Sequence, residues 1–452
     1  MTDSTTAIYQ ARRQRLAQQL GAQDVAIIPT APTRVRNRDA DYPYRHDSYF
    51  YYLSGFTEPD AWLVIQSSGH TTLFCQPKDL EREIWDGYRL GPDAACEALG
   101  VDAACAVTDL DRLMPELIGN RHQLWWPFAT HEGLHSRIEG WLQAVRAKVR
   151  LGIAAPDGQR DVCAVLDEMR LVKDTHEITI MRRAGAISAE AHIRCMQRSA
   201  RMLRAGEEAR EYHLDAELLH AFREHGAEGP AYTSIVAAGA NACVLHYRAG
   251  NNILRAGDLV LIDAACELDG YASDITRTFP ANGHFSGPQR AVYEIVLAAQ
   301  EAAIAATRAG ARFDAPHDAA VRVLVQGMLD LKLLDRDQVG GVEDAIADKS
   351  YTRFYMHRTS HWLGMDVHDC GAYLDRDQPQ GDTPRLSRPL QPGMVLTIEP
   401  GLYVRPADDV PTEFHDIGVR IEDDAVVTAS GCELLTRGVP VDIPSIEALM
   451  RG

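Results

Sequence analysis

The sequence predicts two domains, an α/β domain followed by a larger α+β domain. Three observations point to this. The chain has 452 residues, long for a single domain. Through about residue 150, short β-like runs alternate with helical stretches, as in a layered α/β structure. From Asp174 onward long helical periodicities take over, with strands between and after them that read as mainly antiparallel. Turn formers in "LGIAAPDGQRD", 151–161, mark the approach to the junction. The expected domains are residues 1–171 and 172–452.

The elements follow in order. Spaced apolar residues with Arg and Gln between them predict a helix over 8–20. The first-domain strands are "VAIIP", "WLVIQS", "TTLFCQP" and "LWWPF". In the second domain "DTHEITIMRRAGAISAEAHIRCMQRSARML" is a long helix. "EEAREYHLDAELLHAFREHG" is a second, stopped by Gly226. A third runs from Ser286 as N-cap, with Pro288 in its first turn, to Gly310. A fourth spans about Pro316 to Leu331. "GMVLTIEP" and "IGVRIEDDAVVT" are strands, with Asp423 and Asp424 expected as solvated turn residues.

Composition narrows the function. At 46% hydrophobic and 24% charged, the chain is an ordinary globular protein. A net charge of −18 argues against a general nucleic-acid binder, which must neutralise phosphates. Nine scattered cysteines without a CxxC pair suit reduced thiols rather than a disulfide framework. The opening residues lack the apolar core of a secretory signal, and no apolar run approaches membrane-spanning length. The expectation is a soluble, cytoplasmic protein with neither a nucleic-acid nor a membrane partner.

The chemistry lies in carboxylates placed where a core should be. In "GDLVLIDAACELDGYASDITRTF" Asp269-Gly270 is a two-residue turn signal. Pairing Leu268 with Tyr271 puts Asp274 opposite Ala265, two residues from Asp263. Asp263 and Asp274 then project from one face as diagonal neighbours, with α-carbons roughly 7–8 Å apart. Such a pair is costly when buried unless something positive joins it. Taken alone, the hairpin reads better as a surface pair or as an Asp bound to Arg277. A weak repeat bears on this. "GDLVLID", 257–263, and "GMVLTIE", 393–399, share length, a leading Gly and a terminal carboxylate, and each is followed by a second acidic strand. Two such halves facing each other would gather four carboxylates.

"HRTSHWLGMDVHD", 357–369, adds His357, His361 and His368. Gly364 and "MDVH" point to a loop running into a strand. "TIEPG" places Glu399 at a strand end, and in "GVRIEDD" Arg420 and Glu422 share a face. Asp263, Asp274, His361, Glu399 and Glu422 together suit two divalent metals. Oxygen-rich ligation with one nitrogen favours Mn²⁺, with Co²⁺ or Zn²⁺ as substitutes. Two such ions can hold and activate a bridging water.

These residues, in this order and spacing, resemble the pita-bread metallopeptidases, and among them the aminopeptidase P group. The resemblance covers nearly the whole chain, including "DYPYRHDSYFYYLSGFTEPDAWLVI" and "EIWDGYRLG" in the first domain. It implies a pita-bread catalytic domain with a pseudo-twofold repeat. The implied reaction removes the N-terminal residue from peptides whose second residue is proline, by attack of a metal-bridging hydroxide. Asp263 would bind one metal, Asp274 and Glu422 would bridge both, and His361 and Glu399 would complete the second. Glu399 would also be the general base. His246 and His368 would contact the scissile peptide, and His357 and Arg420 would line the proline side. Trp85 and Tyr403 would contribute to the substrate pocket. A homodimer or homotetramer is implied as well. Arg358 stands where many relatives have Gly, which bears on local loop shape or substrate preference.

The nearest alternative is prolidase, which shares the ligands but cleaves only Xaa-Pro dipeptides. Methionine aminopeptidase is disfavoured by the large first domain. Creatinase and non-catalytic scaffolds on this fold are disfavoured by retention of every ligand. Metal-dependent phosphoester hydrolysis could use a similar donor set, but no GxxxxGK loop is present.

Overall fold

A computed structural model describes residues 3–378 and 384–451. The chain divides into two compact units, Met1–Arg170 and Leu171–Gly452. The first is built on a mixed six-stranded sheet. Its strands are β1 (Val25–Pro29), β2 (Trp62–Gln66), β3 (Thr71–Cys75), β4 (Ala103–Ala106), β5 (Gln123–Trp126) and β6 (Gly158–Asp161). They lie in the order β4-β3-β2-β1-β5-β6, antiparallel at β3-β2-β1 and parallel elsewhere. β1 and β3 are buried along their whole length, as continuous apolar runs require. Helix α1 (Asp3–Ala17) starts five residues before the expected 8–20 and ends three short of it. Helix α2 (Leu80–Asp86) has no buried residue, and its Trp85 is 82% exposed.

The second unit carries helices α3 (Thr175–Arg204), α4 (Glu211–Glu224), α5 (Gly287–Ala306) and α6 (Ala315–Asp330). Their ends follow the sequence signals. Asp174 and Ser286 cap α3 and α5 with reciprocal capping boxes, and Gly226 sits just past α4 at φ +86°.

Its strands are β7 (Gly229–Pro230), β8 (Ile235–Ala238), β9 (Leu259–Asp263), β10 (Cys266–Leu268), β11 (Tyr271–Ala272) and β12 (Thr276–Pro280). After the helices come β13 (Val395–Ile398), β14 (Gly401–Val404), β15 (Ile417–Arg420), β16 (Asp423–Val427) and β17 (Cys432–Leu434). The hairpin that turns at Asp269-Gly270 keeps one register throughout. Leu268 faces Tyr271, and Asp263 faces Thr276. Asp269 and Gly270 both take positive φ, 49° and 74°, as the tight turn requires. Between these pairings the hairpin changes sheet. β9 and β12 belong to the sheet β8-β9-β12, and β10 and β11 to the sheet β11-β10-β7.

The second pair of strands repeats the device. β13 pairs with β16 and β14 with β15, again in one register, and the two pairings belong to separate sheets. Glu399 follows β13 and Glu422 precedes β16, so both sit in that break.

Helix α3 braces the first break. His192 Nε2 lies 2.9 Å from the Ala264 carbonyl, Ser188 accepts from the Cys266 N–H at 3.0 Å, and Tyr271 donates to Glu177 at 2.9 Å. Burial pushes the His192 imidazole down to about 4, so it stays neutral there.

Two expectations are corrected. Asp423 and Asp424 are not solvated turn residues; they open β16 at 0% and 1% exposure. Asp423 is paired with Arg277 at 2.8 Å, and Asp424 accepts the Asp274 N–H at 3.0 Å. "MDVHD" does not run into a strand among the described residues; it stays a bent loop after the Trp362–Leu396 bridge.

Gly185 in α3 lies against the chain beyond β17, where an added Cβ would sit 2.6 Å from the Leu435 carbonyl oxygen. Backbone cannot yield as a flexible side chain can. Gly140, in the helix Leu134–Arg146, has open space around it. Gly185→Ala should therefore cost about 1–3 kcal/mol, as overpacking does. Gly140→Ala should gain up to about 1 kcal/mol from helix propensity alone. Urea unfolding of both variants beside the wild type checks the opposite signs.

Candidate metal centre

The two strand breaks meet through β12. Thr276 donates its hydroxyl to Glu422 Oε2 at 2.6 Å, and the Glu422 N–H donates to the Thr276 carbonyl at 3.1 Å. Thr278 donates to the Arg420 carbonyl at 2.9 Å, and Arg277 Nη1 donates to the Glu422 carbonyl at 2.5 Å. The first hairpin thus holds the acidic segment of the second by side-chain and backbone bonds. Here Arg277 serves a structural role with Asp423 and leaves the two hairpin aspartates to other partners.

Asp274, His361 and Glu422 each offer a donor atom, and the three atoms lie within 4.8 Å of one another. Glu399 joins from the far side, with Oε1 3.5 Å from His361 Nε2; Asp274 Oδ2 is also 3.5 Å from that nitrogen. Asp263 joins through Tyr232, whose hydroxyl lies 2.6 Å from both Asp263 Oδ1 and Asp274 Oδ1. Arg420 Nη2 donates to Asp263 Oδ2 at 2.6 Å. The five sequence-predicted ligand residues therefore form one cluster. His361 is oriented by its Nδ1, 3.0 Å from the Trp362 carbonyl, which leaves Nε2 toward the carboxylates.

Burial and mutual repulsion set the electrostatics of the cluster. Burial pushes Glu422 well up, and Asp274, Glu399 and Asp263 add to the rise. Burial likewise raises Asp263, and raises Glu399 to about 7. Burial opposes a charge on His361, but Asp274 and Glu399 outweigh it and lift the imidazole to about 9. Divalent cations held by these groups would displace the protons that burial favours on them. A hard-oxygen set with one imidazole, drawn from four separate chain segments, fits divalent metal ions.

A cleft of about 1040 Å³ opens over this cluster, and nine of the eleven candidate residues line it. These are the five cluster residues with His246, His357, His368 and Arg420. His361 and His368 stack edge to face at 4.4 Å. His357 sits 3.7 Å from Glu399 and 2.8 Å from the Tyr403 hydroxyl; burial, with Arg420 nearby, drives it down to about 3. Tyr403 lies beneath the lining, bonded to Arg420 at 2.8 Å. Trp85 belongs to the other unit and faces solvent there. Arg358 lines the cleft and is exposed.

Sequence reasoning missed Tyr232, which joins the two aspartates, and Thr276 and Asp424, which hold Glu422 and Asp274. Tyr232 has no local signal beyond the Gly-Pro pair of β7 before it. Asp424 was visible but was assigned to solvent.

Comparison with known proteins matches this architecture. Metallopeptidase family M24 matches residues 179–429, and the aminopeptidase P N-terminal domain matches residues 9–125. The Xaa-Pro aminopeptidase of Escherichia coli is 42% identical over 455 residues, covering 100% of this chain and 99% of that one. The structure of a Pseudomonas aeruginosa aminopeptidase superimposes with a TM-score of 0.93 at 44% identity, covering 99% of this chain and 98% of that one. A zinc-substituted Escherichia coli aminopeptidase P in complex with product superimposes with a TM-score of 0.91 at 42% identity, covering 99% and 98%. With both strand breaks, the acidic cluster and both domain matches in place, the chain belongs to the aminopeptidase P branch of metallopeptidase family M24.

Proposed function

We propose that this metallopeptidase removes the N-terminal residue from peptides whose second residue is proline, using two divalent ions, Mn²⁺ by preference. The observation that carries the reading is the buried gathering of four carboxylates around His361 at the floor of one open cleft. Asp263, Asp274, His361, Glu399 and Glu422 would hold the ions, with Asp274 and Glu422 between both. When bound, such a pair supplies Lewis-acid activation of a water and of the scissile carbonyl. Zinc-substituted enzyme among the structural relatives supports a divalent site, and the oxygen-rich donor set supports Mn²⁺.

The chain's own residues do the rest. Glu399 receives the proton of the attacking water and passes it to the departing proline nitrogen. That nitrogen carries a ring and no N–H, so a grip based on backbone hydrogen bonds fails there and a shaped cleft replaces it. His246 and His368 stand at the cleft to donate to the scissile peptide. His357, Arg420 and Tyr403 form one bonded row on the proline side. The acidic cluster receives the free α-ammonium of the first residue.

Self-association into a homodimer or homotetramer is part of this reading. It is supported by the exposed apolar residues Leu80, Ile84, Trp85 and Tyr88, which fall within nine residues of one another on and just after α2. Trp85 lies on that face, which supports a role at an interface between copies. Nine free cysteines, five of them buried, support a reducing, cytoplasmic setting.

Chelated protein re-loaded with Mn²⁺ should release the first residue from Xaa-Pro-Xaa peptides as well as from Xaa-Pro dipeptides. Cleavage confined to dipeptides would make it a prolidase, and inactivity on both would sink the peptidase reading. Asp274→Ala and Glu422→Ala should each lose both ions and about 10³-fold or more in turnover. Retention of two ions by either variant, measured by elemental analysis, removes the bridging role. His368→Ala should keep its metals and lose on the order of 10²-fold in kcat, the scale of a general acid or donor. Metal loss in that variant would make His368 a ligand.

A further inference from the structure

His246 has a reactive position but no anchor of its own. Among the described residues its imidazole makes no hydrogen bond or ion pair, and it is exposed at the cleft. Its placement therefore depends on the backbone of residues 239–250, which leaves the end of β8.

We propose that Glu211 is a positioning residue for the reaction: a buried carboxylate that fixes the 239–250 loop and so sets His246 over the metal centre. This rests on the reading that His246 contacts the substrate. Glu211 opens α4 and is fully buried. Its Oε1 accepts the Ala238 N–H at 3.0 Å and Asn241 Nδ2 at 2.9 Å. Its Oε2 accepts the Tyr247 hydroxyl at 2.8 Å and the Gly250 N–H at 3.2 Å. Those four donors span the loop from its root, past His246, to its return. Tyr247 is the residue next to His246.

The carboxylate is itself referenced to the metal centre. Ala238 ends β8, and Ile235 in that strand faces Asp263 across the ladder. The Glu211 N–H donates to the Asn252 carbonyl at 3.1 Å, and Asn252 Nδ2 donates to the Ala238 carbonyl at 3.3 Å. So the loop closes on the same helix turn that holds it.

The chemistry calls for a carboxylate. Among the described residues no Lys, Arg or His lies within ion-pair distance of Glu211, so its charge is balanced only by donated hydrogen bonds. Burying such a charge is expensive, and a loop needing only closure could be packed by apolar groups. A carboxylate offers two acceptor oxygens, enough for all four donors. Gln has nearly the same shape but one acceptor oxygen, and its amide group would confront two donors. The loop would stay closed but lose its fixed register.

The test uses the metal-loaded full chain and an Xaa-Pro-Xaa peptide, with kcat, KM and metal content measured for the wild type, Glu211→Gln, His246→Ala and the double variant. Glu211→Gln should lower kcat about 10-fold or more, leave metal content unchanged and move KM less than about 3-fold. In the His246→Ala background it should cost less than about 2-fold, because a residue acting through His246 has nothing left to position. An undiminished kcat in Glu211→Gln, or the same loss with and without His246, overturns the proposal and makes Glu211 a general stability element. Should Glu211→Gln not fold, Tyr247→Phe takes its place, since it removes one donor and keeps the carboxylate. A kcat loss of about 3-fold that vanishes in the His246→Ala background supports the proposal; no loss, or an undiminished one, overturns it. Full turnover in His246→Ala would instead retire the role given to His246, a separate outcome from failure of the Glu211 variant alone.

Discussion

Four carboxylates held together under a cleft repel one another, and the catalytic unit is organised around that repulsion. Two unit charges 4 Å apart interact by about 4 kcal/mol at the effective dielectric of a protein surface, and by more when buried. Tyr232 bonds one oxygen of Asp263 and one of Asp274 at 2.6 Å each, so those oxygens are close neighbours. A single hydroxyl hydrogen cannot neutralise both. Arg420 bonds Asp263 directly and eases Glu399 and Glu422 only through its nearby charge. The remaining demand appears as raised carboxyl groups at Glu422 and Glu399 and as an imidazole at His361 raised by Asp274 and Glu399 against its burial. A fold that tolerates this must be stable for other reasons, and must gain something when cations replace the protons.

The stability comes from the strand breaks. Each antiparallel pair crosses from one sheet to another without losing register. At a crossing the ladder keeps only part of its bonds, such as Ala264 N–H to the Ile275 carbonyl at 3.3 Å and Ile421 N–H to the Pro400 carbonyl at 3.3 Å, and side chains there can turn toward a shared space. Asp263 and Asp274 sit at one crossing, Glu399 and Glu422 at the other. The interrupted bonds are made good by side chains. Thr276, Thr278 and Arg277 fasten one hairpin to the next, and Asp424 takes the Asp274 N–H. Buried Asp423, with Arg277, Arg437 and Thr436, is the structural counterpart of the functional acids: a carboxylate fully satisfied by its neighbours.

This separates what was readable from the sequence and what was not. Asp263 and Asp274 could be placed on one face because the Asp269-Gly270 turn fixes a local register, and local registers survive folding. The four long helices of the second unit were readable for the same reason, through their capping residues and periodicity. The assignment of Asp423 and Asp424 to solvent failed because their partners, Arg277 and the Asp274 amide, come from about 150 residues away. Tyr232 and Glu211 were invisible for a related reason. Each is one polar residue whose meaning lies wholly in which distant groups it meets. The exposed Trp85 adds a third case, since an isolated aromatic does not reveal from sequence whether it faces a core, solvent or another copy.

The imidazoles then divide by charge in a way that suits a peptide N-terminus. His361 is raised by the acids it faces, so it belongs electrostatically to the cluster. His357 and His368 are lowered, first by burial and then by cationic neighbours, Arg420 for one and His361 for the other. Near neutral pH these two are uncharged; His357 spends its one N–H on the Arg358 carbonyl, 2.8 Å from Nδ1, and accepts from Tyr403 at Nε2, while His368 keeps an N–H to offer. Cationic imidazoles there would compete with an incoming α-ammonium for the same carboxylates. Neutral ones add no positive charge beside a cluster that gathers cations, and they stay free to take part in hydrogen bonds. Arg420 completes the arrangement. It is buried and bound to Asp263 on one side and to Tyr403 on the other, and its fixed charge adds to the burial that keeps His357 neutral. The separation of a cation-seeking floor from a neutral, hydrogen-bonding wall follows from where burial and the fixed guanidinium lie.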